Sequence, residues 1–125
     1  MITILMVEDE MNLAMLLEDI LDAAGYHVLK AARLPNALQL LEESGMAGRA
    51  KIDAAILDVN LAGVLVFPLA AALRARDVPF GFTSGYGRDG IPAEYSDSSV
   101  LQKPYSAEKI ISMVQSLAGV PDAAA

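Results

Sequence analysis

Ile2-Thr3-Ile4-Leu5-Met6-Val7 runs directly into Glu8-Asp9-Glu10. The first part reads as a central strand, apolar on both faces, of the kind found in a parallel sheet. Working outward, the pattern returns along the chain. Ala54 to Leu57 is followed by Asp58, Phe80 to Thr83 by Ser84, and Val100-Leu101 by Gln102 and Lys103-Pro104. If each run is a buried strand, the carboxylates, the hydroxyl and the ammonium all emerge at strand C-terminal ends. In an open parallel sheet that edge is where ligands bind.

The segments between these runs are helical. Asn12 is a plausible N-cap, Leu13, Leu16, Leu17, Ile20, Leu21 and Ala24 recur at helical spacing, and Gly25 ends the helix. Tyr26 to Ala31 is a second strand, short and more polar. Pro35 suits the first turn of a second helix, with Leu34, Ala37, Leu38 and Leu41 on its buried side. Gly45 to Lys51 is a loop, Asp53 to Leu57 the third strand, and the stretch from Asp58 through Leu65 another loop. Pro68 inside a helix would cost about 3 kcal/mol. The third helix is therefore placed with its start near Phe67, Pro68 in its first turn, and its end near Arg76. The segment Gly85 to Ser99 contains Gly85, Gly87, Gly90 and Pro92 with several charges, so its helical signal is poor. Few apolar contacts are expected to hold it. Val100 to Gln102 is the last strand. Ser106 caps a final helix with Ile110, Ile111, Val114 and Leu117 on one face. Residues 1–118 form one domain and 119–125 an Ala-rich, flexible tail. Strands alternating with helices indicate an α/β fold, a parallel sheet with helices on both faces and right-handed crossovers.

The chain has 125 residues, 54% of them hydrophobic, enough for a full core in one domain. It has no Cys, which removes disulfides, thiolate zinc sites and thiol nucleophiles and fits a cytoplasmic protein. The single His27 cannot build a His-rich metal site. A net charge of −7 argues against direct nucleic-acid binding, which needs clustered Lys and Arg. No apolar run is long enough to span a membrane, and no basic region precedes the first strand as in a signal peptide.

Clustered carboxylates raise one another's pKa, and a hard divalent cation relieves this. Mg²⁺ takes oxygen ligands and is commonly held by one or two carboxylates plus a phosphate. Glu8, Asp9 and Asp58 could hold it so. A carboxylate can also be the nucleophile that forms an aspartyl phosphate, with Mg²⁺ and Lys103 supplying positive charge and Ser84 a hydrogen bond.

Val7-Glu8-Asp9-Glu10, Leu57-Asp58-Val59-Asn60-Leu61, Thr83-Ser84-Gly85 and Gln102-Lys103-Pro104-Tyr105 together resemble the receiver domain of two-component response regulators, over about residues 2 to 118. The resemblance implies a flavodoxin-like, doubly wound, five-stranded parallel sheet in the order 2-1-3-4-5, here with a weak or short fourth helix. It implies that Asp58 is the phosphoacceptor and that Glu8 and Asp9 are the acidic pair, Asp9 touching the metal and Glu8 acting through water. The carbonyl of Asn60 is implied as a backbone ligand of Mg²⁺, Ser84 as the switch hydroxyl, and Lys103 as the lysine that reaches the phosphoryl group. A cis peptide before Pro104 is also implied. The partner would be a sensor histidine kinase or a phosphotransfer protein, with Mg²⁺-dependent self-phosphorylation from small phosphodonors and slow autodephosphorylation. Output would pass through protein contacts, with no membrane association.

Some positions depart from the family's pattern. Receivers usually have Pro where Ala62 stands and Gly where Val66 stands. The Tyr or Phe that many carry three residues before the lysine is Val100 here. Pro79-Phe80-Gly81-Phe82-Thr83-Ser84-Gly85-Tyr86-Gly87 is similar to an atypical, stand-alone subclass with a Phe-Ala-Thr-Gly-like stretch, linked to kinases of the HWE or HisKA2 type. Two other readings stand beside this one. A degenerate receiver would act only as a protein-binding module. A haloacid-dehalogenase-type phosphohydrolase would want a second Asp where Asn60 stands, with Gly-Thr after it.

Overall fold

The computed structural model of the protein describes residues 1–121. The end of the expected tail, residues 122–125, lies outside the described residues. In chain order, β1 (Thr3–Val7) leads to α1 (Met11–Ala23), β2 (His27–Ala31), α2 (Leu34–Glu42) and β3 (Ala54–Asp58). A small hairpin follows, β4 (Asn60–Leu61) and β5 (Val64–Leu65), then α3 (Phe67–Ala75), β6 (Phe80–Ser84), β7 (Ser99–Gln102) and α4 (Ala107–Ala118). The five long strands run parallel in the order β2-β1-β3-β6-β7. Once the hairpin is set aside, this is the expected 2-1-3-4-5.

The uninterrupted apolar runs become strands because both their faces are covered: β1, β3 and β6 are buried along their whole lengths. The period of two divides each strand between two cores. Leu5, Val7, Ala55 and Leu57 pack with Ala37 and Leu41 of α2 and Leu69 and Leu73 of α3. Ile4, Met6, Ala54 and Ile56 pack with Leu17 and Leu21 of α1 and Ile110, Met113 and Val114 of α4. Approach is closest at Gly81, where a Cβ would lie 2.7 Å from Met113 Sδ. No helix of the described residues is long and apolar enough to cross a membrane.

Helix ends follow local chemistry, with one correction. Asn12 is not the N-cap. α1 begins at Met11 after Glu10, whose side chain makes no cap; instead Glu8 Oε2 accepts a bond from the Glu10 amide at 3.1 Å. That carboxylate, fixed at the end of β1, sets the backbone at Glu10, so the helix starts before Asn12. Gly25 leaves α1 at φ +96°. Pro35 and Pro68 occupy the first turns of α2 and α3 as expected, and Ser106 Oγ accepts from the Lys109 amide at 3.2 Å.

The stretch after Asp58 was expected to be a loop and is a hairpin. Val66 N donates to Val59 O at 3.0 Å, and Leu61 pairs with Val64. Ala62 and Gly63 turn at φ +53° and +92°, the positive pair that a tight two-residue hairpin turn requires. Proline, locked near φ −65°, cannot take this conformation, which accounts for its absence at position 62.

Between β6 and β7 the only helical element is one 3₁₀ turn, Ala93–Tyr95. The segment is not loosely held throughout, however, because Tyr95 is 2% exposed. Its ring stacks on Phe67 with centroids 5.8 Å apart and meets Phe82 edge-on at 5.6 Å. The Arg74 guanidinium lies 4.8 Å above it and donates to Glu94 O at 2.8 Å. Large aromatic burial with a cation over the ring stabilises strongly. Tyr95→Ala is therefore expected to cost about 3–5 kcal/mol in urea denaturation. In hydrogen exchange the amides of residues 91–98 should lose more protection than those of residues 85–90.

Candidate functional site

Four strand ends converge. Sheet hydrogen bonding extends past the strands proper: Glu8 N donates to Ala31 O at 3.0 Å, Val59 N to Thr83 O at 3.0 Å, and Lys103 N to Ser84 O at 2.8 Å. The side chains of Glu8, Asp58, Ser84 and Lys103 are therefore set by rigid backbone. Asp58 is the last residue of β3 rather than the first of a loop.

Glu8 is 3% and Asp58 6% exposed, so both carboxylates sit where water cannot screen them. Lys103 Nζ lies between them, 3.0 Å from Glu8 Oε1 and 3.2 Å from Asp58 Oδ2. The Lys103–Pro104 peptide is cis. Asp9 is exposed, yet oxygens of Glu8, Asp9 and Asp58 lie within 4.8 Å of one another. Ser84 Oγ accepts from the Tyr86 amide at 3.0 Å, which leaves its O–H available to donate. The Asn60 side chain does not face this cluster's needs: Asn60 Oδ1 accepts the Gly63 amide at 2.6 Å. The backbone is different. With Val59 and Val66 bonded across the hairpin, antiparallel alternation turns the Asn60 carbonyl away from its partner strand.

Electrostatics follow from this burial. Desolvation, and then the Glu8 charge, push the Asp58 carboxyl from an ordinary 3.8 up to about 7, with Lys103 pulling the other way. Burial works against the Lys103 charge, but the hydrogen bond to Glu8 and the charges of Asp58 and Glu8 raise its pKa overall. One ammonium thus faces two buried acids and a third exposed one. The donor set is all hard oxygen, which fits Mg²⁺ and gives softer metals no purchase. Both Glu8 oxygens already have donors, Lys103 and the Glu10 amide, so Asp9 and Asp58 are the more available ligands.

The structure brings Glu8, Asp9, Asp58 and Lys103 together, with Ser84 at the neighbouring strand end and Asn60 opening the hairpin just past Asp58. It also brings in Tyr105, which lines a groove with Lys103. Its hydroxyl is buried without a hydrogen-bond partner among the described residues. Its pKa is raised by burial, then by the charges of Glu8 and Asp58. The only sequence signal was its place two residues after Lys103. Tyr86 is exposed, and His27 lies on the edge strand β2, away from the cluster.

No protein-family model matches the chain. It is 39% identical to SdrG from Sphingomonas melonis Fr1, over 94% of this chain and 96% of that one, with a TM-score of 0.78. It is 29% identical to the receiver domain of the hybrid histidine kinase CckA, over 92% of this chain and 97% of that one, with a TM-score of 0.72. The uncharacterized transcriptional regulatory protein YrkP of Bacillus subtilis is 32% identical over 113 residues. That match takes in 86% of this chain and 45% of YrkP, so the chain spans less than half of that relative.

The raised Asp58 pKa has a consequence for stability. A carboxyl whose folded value is raised stabilises the fold while protonated. That contribution is complete below about pH 4 and is lost as the pH rises through about 7. With divalent cations chelated, Asp58→Asn should match the parent in urea denaturation near pH 4. At pH 8 it should be more stable by about 1–3 kcal/mol. Excess Mg²⁺ should narrow the gap at pH 8.

Proposed function

The chain belongs to the receiver domains of response regulators, and on that premise we propose that it accepts a phosphoryl group on Asp58. The donor is the phosphohistidine of a sensor histidine kinase or phosphotransfer protein. The observation that carries this reading is the Lys103 ammonium held 3.0 Å from Glu8 and 3.2 Å from Asp58 at the mouth of a buried acidic cluster.

In the transfer, an oxygen of the Asp58 carboxylate attacks phosphorus, the O–P bond forms, and the P–N bond breaks with its electron pair going to the imidazole. Such transfers need positioning and positive charge more than covalent assistance. Lys103 supplies charge to the phosphoryl oxygens, and the free O–H of Ser84 donates to one of them. Asp9, Asp58 and the Asn60 carbonyl would hold Mg²⁺, with Glu8 acting through water. When bound, the ion neutralises phosphoryl charge and favours the ionised, nucleophilic form of Asp58. Water later releases the phosphoryl group slowly. Leu13 and the exposed Leu16 of α1 line the groove that leads to Lys103, an apolar surface suited to a protein donor.

The Phe80 to Tyr86 segment supports a kinase of the HWE or HisKA2 type. Output passes through protein contact in the cytoplasm, since a net charge of −7 disfavours nucleic acid. Val100 is half-buried and has no ring to swing, so the response runs through Ser84 and the Tyr86 amide it holds.

Treatment with acetyl phosphate and Mg²⁺ followed by intact-mass spectrometry should show one added phosphoryl group on the parent and none on Asp58→Asn. Undiminished labelling of the Asn variant would sink the assignment. In an NMR titration, Asp9→Ala should bind Mg²⁺ at least about tenfold more weakly.

A further inference from the structure

Tyr105 carries the one buried side-chain polar atom left without a hydrogen-bond partner among the described residues. Its ring packs against the core shared by α1 and α4. It also lines a groove of about 600 Å³ together with Glu10, Leu13, Leu16, Lys103 and Pro104. Buried phenols ordinarily find an acceptor, and an orphan calls for a reason. Lys103, on the same groove, reaches two buried acceptors, the carboxylates of Glu8 and Asp58. In the present arrangement Lys103 engages both of them.

We propose that the Tyr105 hydroxyl is a positioning group for the phosphorylated state, donating to the Glu8 carboxylate once Lys103 turns to the phosphoryl oxygens on Asp58. The proposal rests on the phosphoacceptor reading given above. A phosphoryl group brings close to two negative charges and three strong acceptor oxygens, and these draw the ammonium from Glu8 Oε1. Glu8, 3% exposed, cannot turn to solvent. Its Oε2 keeps the Glu10 amide, but Oε1 loses its donor. Tyr105 O–H is the buried donor without a partner among the described residues, so one new bond satisfies the phenol and replaces the donor that Glu8 gives up. The unphosphorylated protein carries the unsatisfied phenol as a reserve, and the cost of that orphan disappears only when Asp58 is modified.

Beryllofluoride with Mg²⁺ serves as the phosphoryl mimic. Tyr105→Phe should be at least as stable as the parent when unloaded, because the orphaned hydroxyl is gone. It should bind beryllofluoride about tenfold more weakly and show a smaller rise in Tm on loading. In the parent, the ¹³Cζ resonance of Tyr105 should shift on loading as the phenol gains an acceptor. Equal affinity of parent and variant, or a ¹³Cζ resonance that does not move, overturns the proposal. So does an unloaded variant that is less stable but gains the same Tm on loading, since the hydroxyl is then merely structural. If the parent itself takes up no beryllofluoride, the phosphoacceptor reading falls and this proposal with it. If only the comparison between parent and variant fails, the reading of Asp58 stands.

Discussion

One ammonium shared by two buried carboxylates sets the conditions for the rest of the molecule. Glu8 and Asp58 are almost wholly withdrawn from water, and a lone buried carboxylate costs several kcal/mol. Removing Lys103 would leave both uncompensated. The pair is nevertheless not fully neutralised: one positive charge meets two negative ones, and Asp9 adds a third nearby. Burial first, and then the Glu8 charge, raise the Asp58 pKa in spite of Lys103. A fold that sought stability alone would not concentrate acids at one end of its sheet. Stored electrostatic repulsion of this kind marks a site that waits for cationic charge.

The sheet makes that concentration possible. Parallel strands bring all their C-terminal ends to one edge, and the central position of β1, β3 and β6 buries what is attached there. Backbone bonds that continue beyond the strands, such as Lys103 N to Ser84 O and Glu8 N to Ala31 O, hold the functional side chains on stiff supports. The opposite end of the sheet carries no such demand. There Tyr26 is buried, and its hydroxyl donates to Gly119 O at 2.7 Å, drawing the end of α4 back toward the domain.

Much of this was legible from residue order alone. Each apolar run ended in a polar group, and Pro68 fixed the start of α3 because proline tolerates only a first turn. The site residues stood out because carboxylates, a hydroxyl and a lysine closed successive strands. Other features were not legible, for physical reasons. The hairpin after Asp58 depends on Ala62 at positive φ, a conformation alanine seldom adopts and no pattern announces. The start of α1 at Met11, ahead of Asn12, follows a turn in which Glu8 holds the Glu10 amide, a contact that residue order does not announce. Tyr95 sits in a segment of glycine and charge, and its burial comes from Phe67, Phe80, Phe82 and Arg74, which lie far away in sequence. The unpaired Tyr105 hydroxyl depends on side-chain surroundings that only the folded chain defines.

The hairpin also changes how flexible the neighbourhood of Asp58 can be. A free loop of this length would have many conformations, and gripping an ion through its carbonyl would freeze them at the moment of binding. Here the turn at Ala62 and Gly63, the Asn60 side chain on the Gly63 amide and the Val59–Val66 bond remove that freedom during folding. The ordering entropy falls on the folding step, where a large core offsets it, rather than on ligand capture. On the proposed reading, the Asn60 carbonyl would meet Mg²⁺ from a backbone already ordered, so that the weak affinity of a few oxygen ligands would not be eroded further by the chain that carries them.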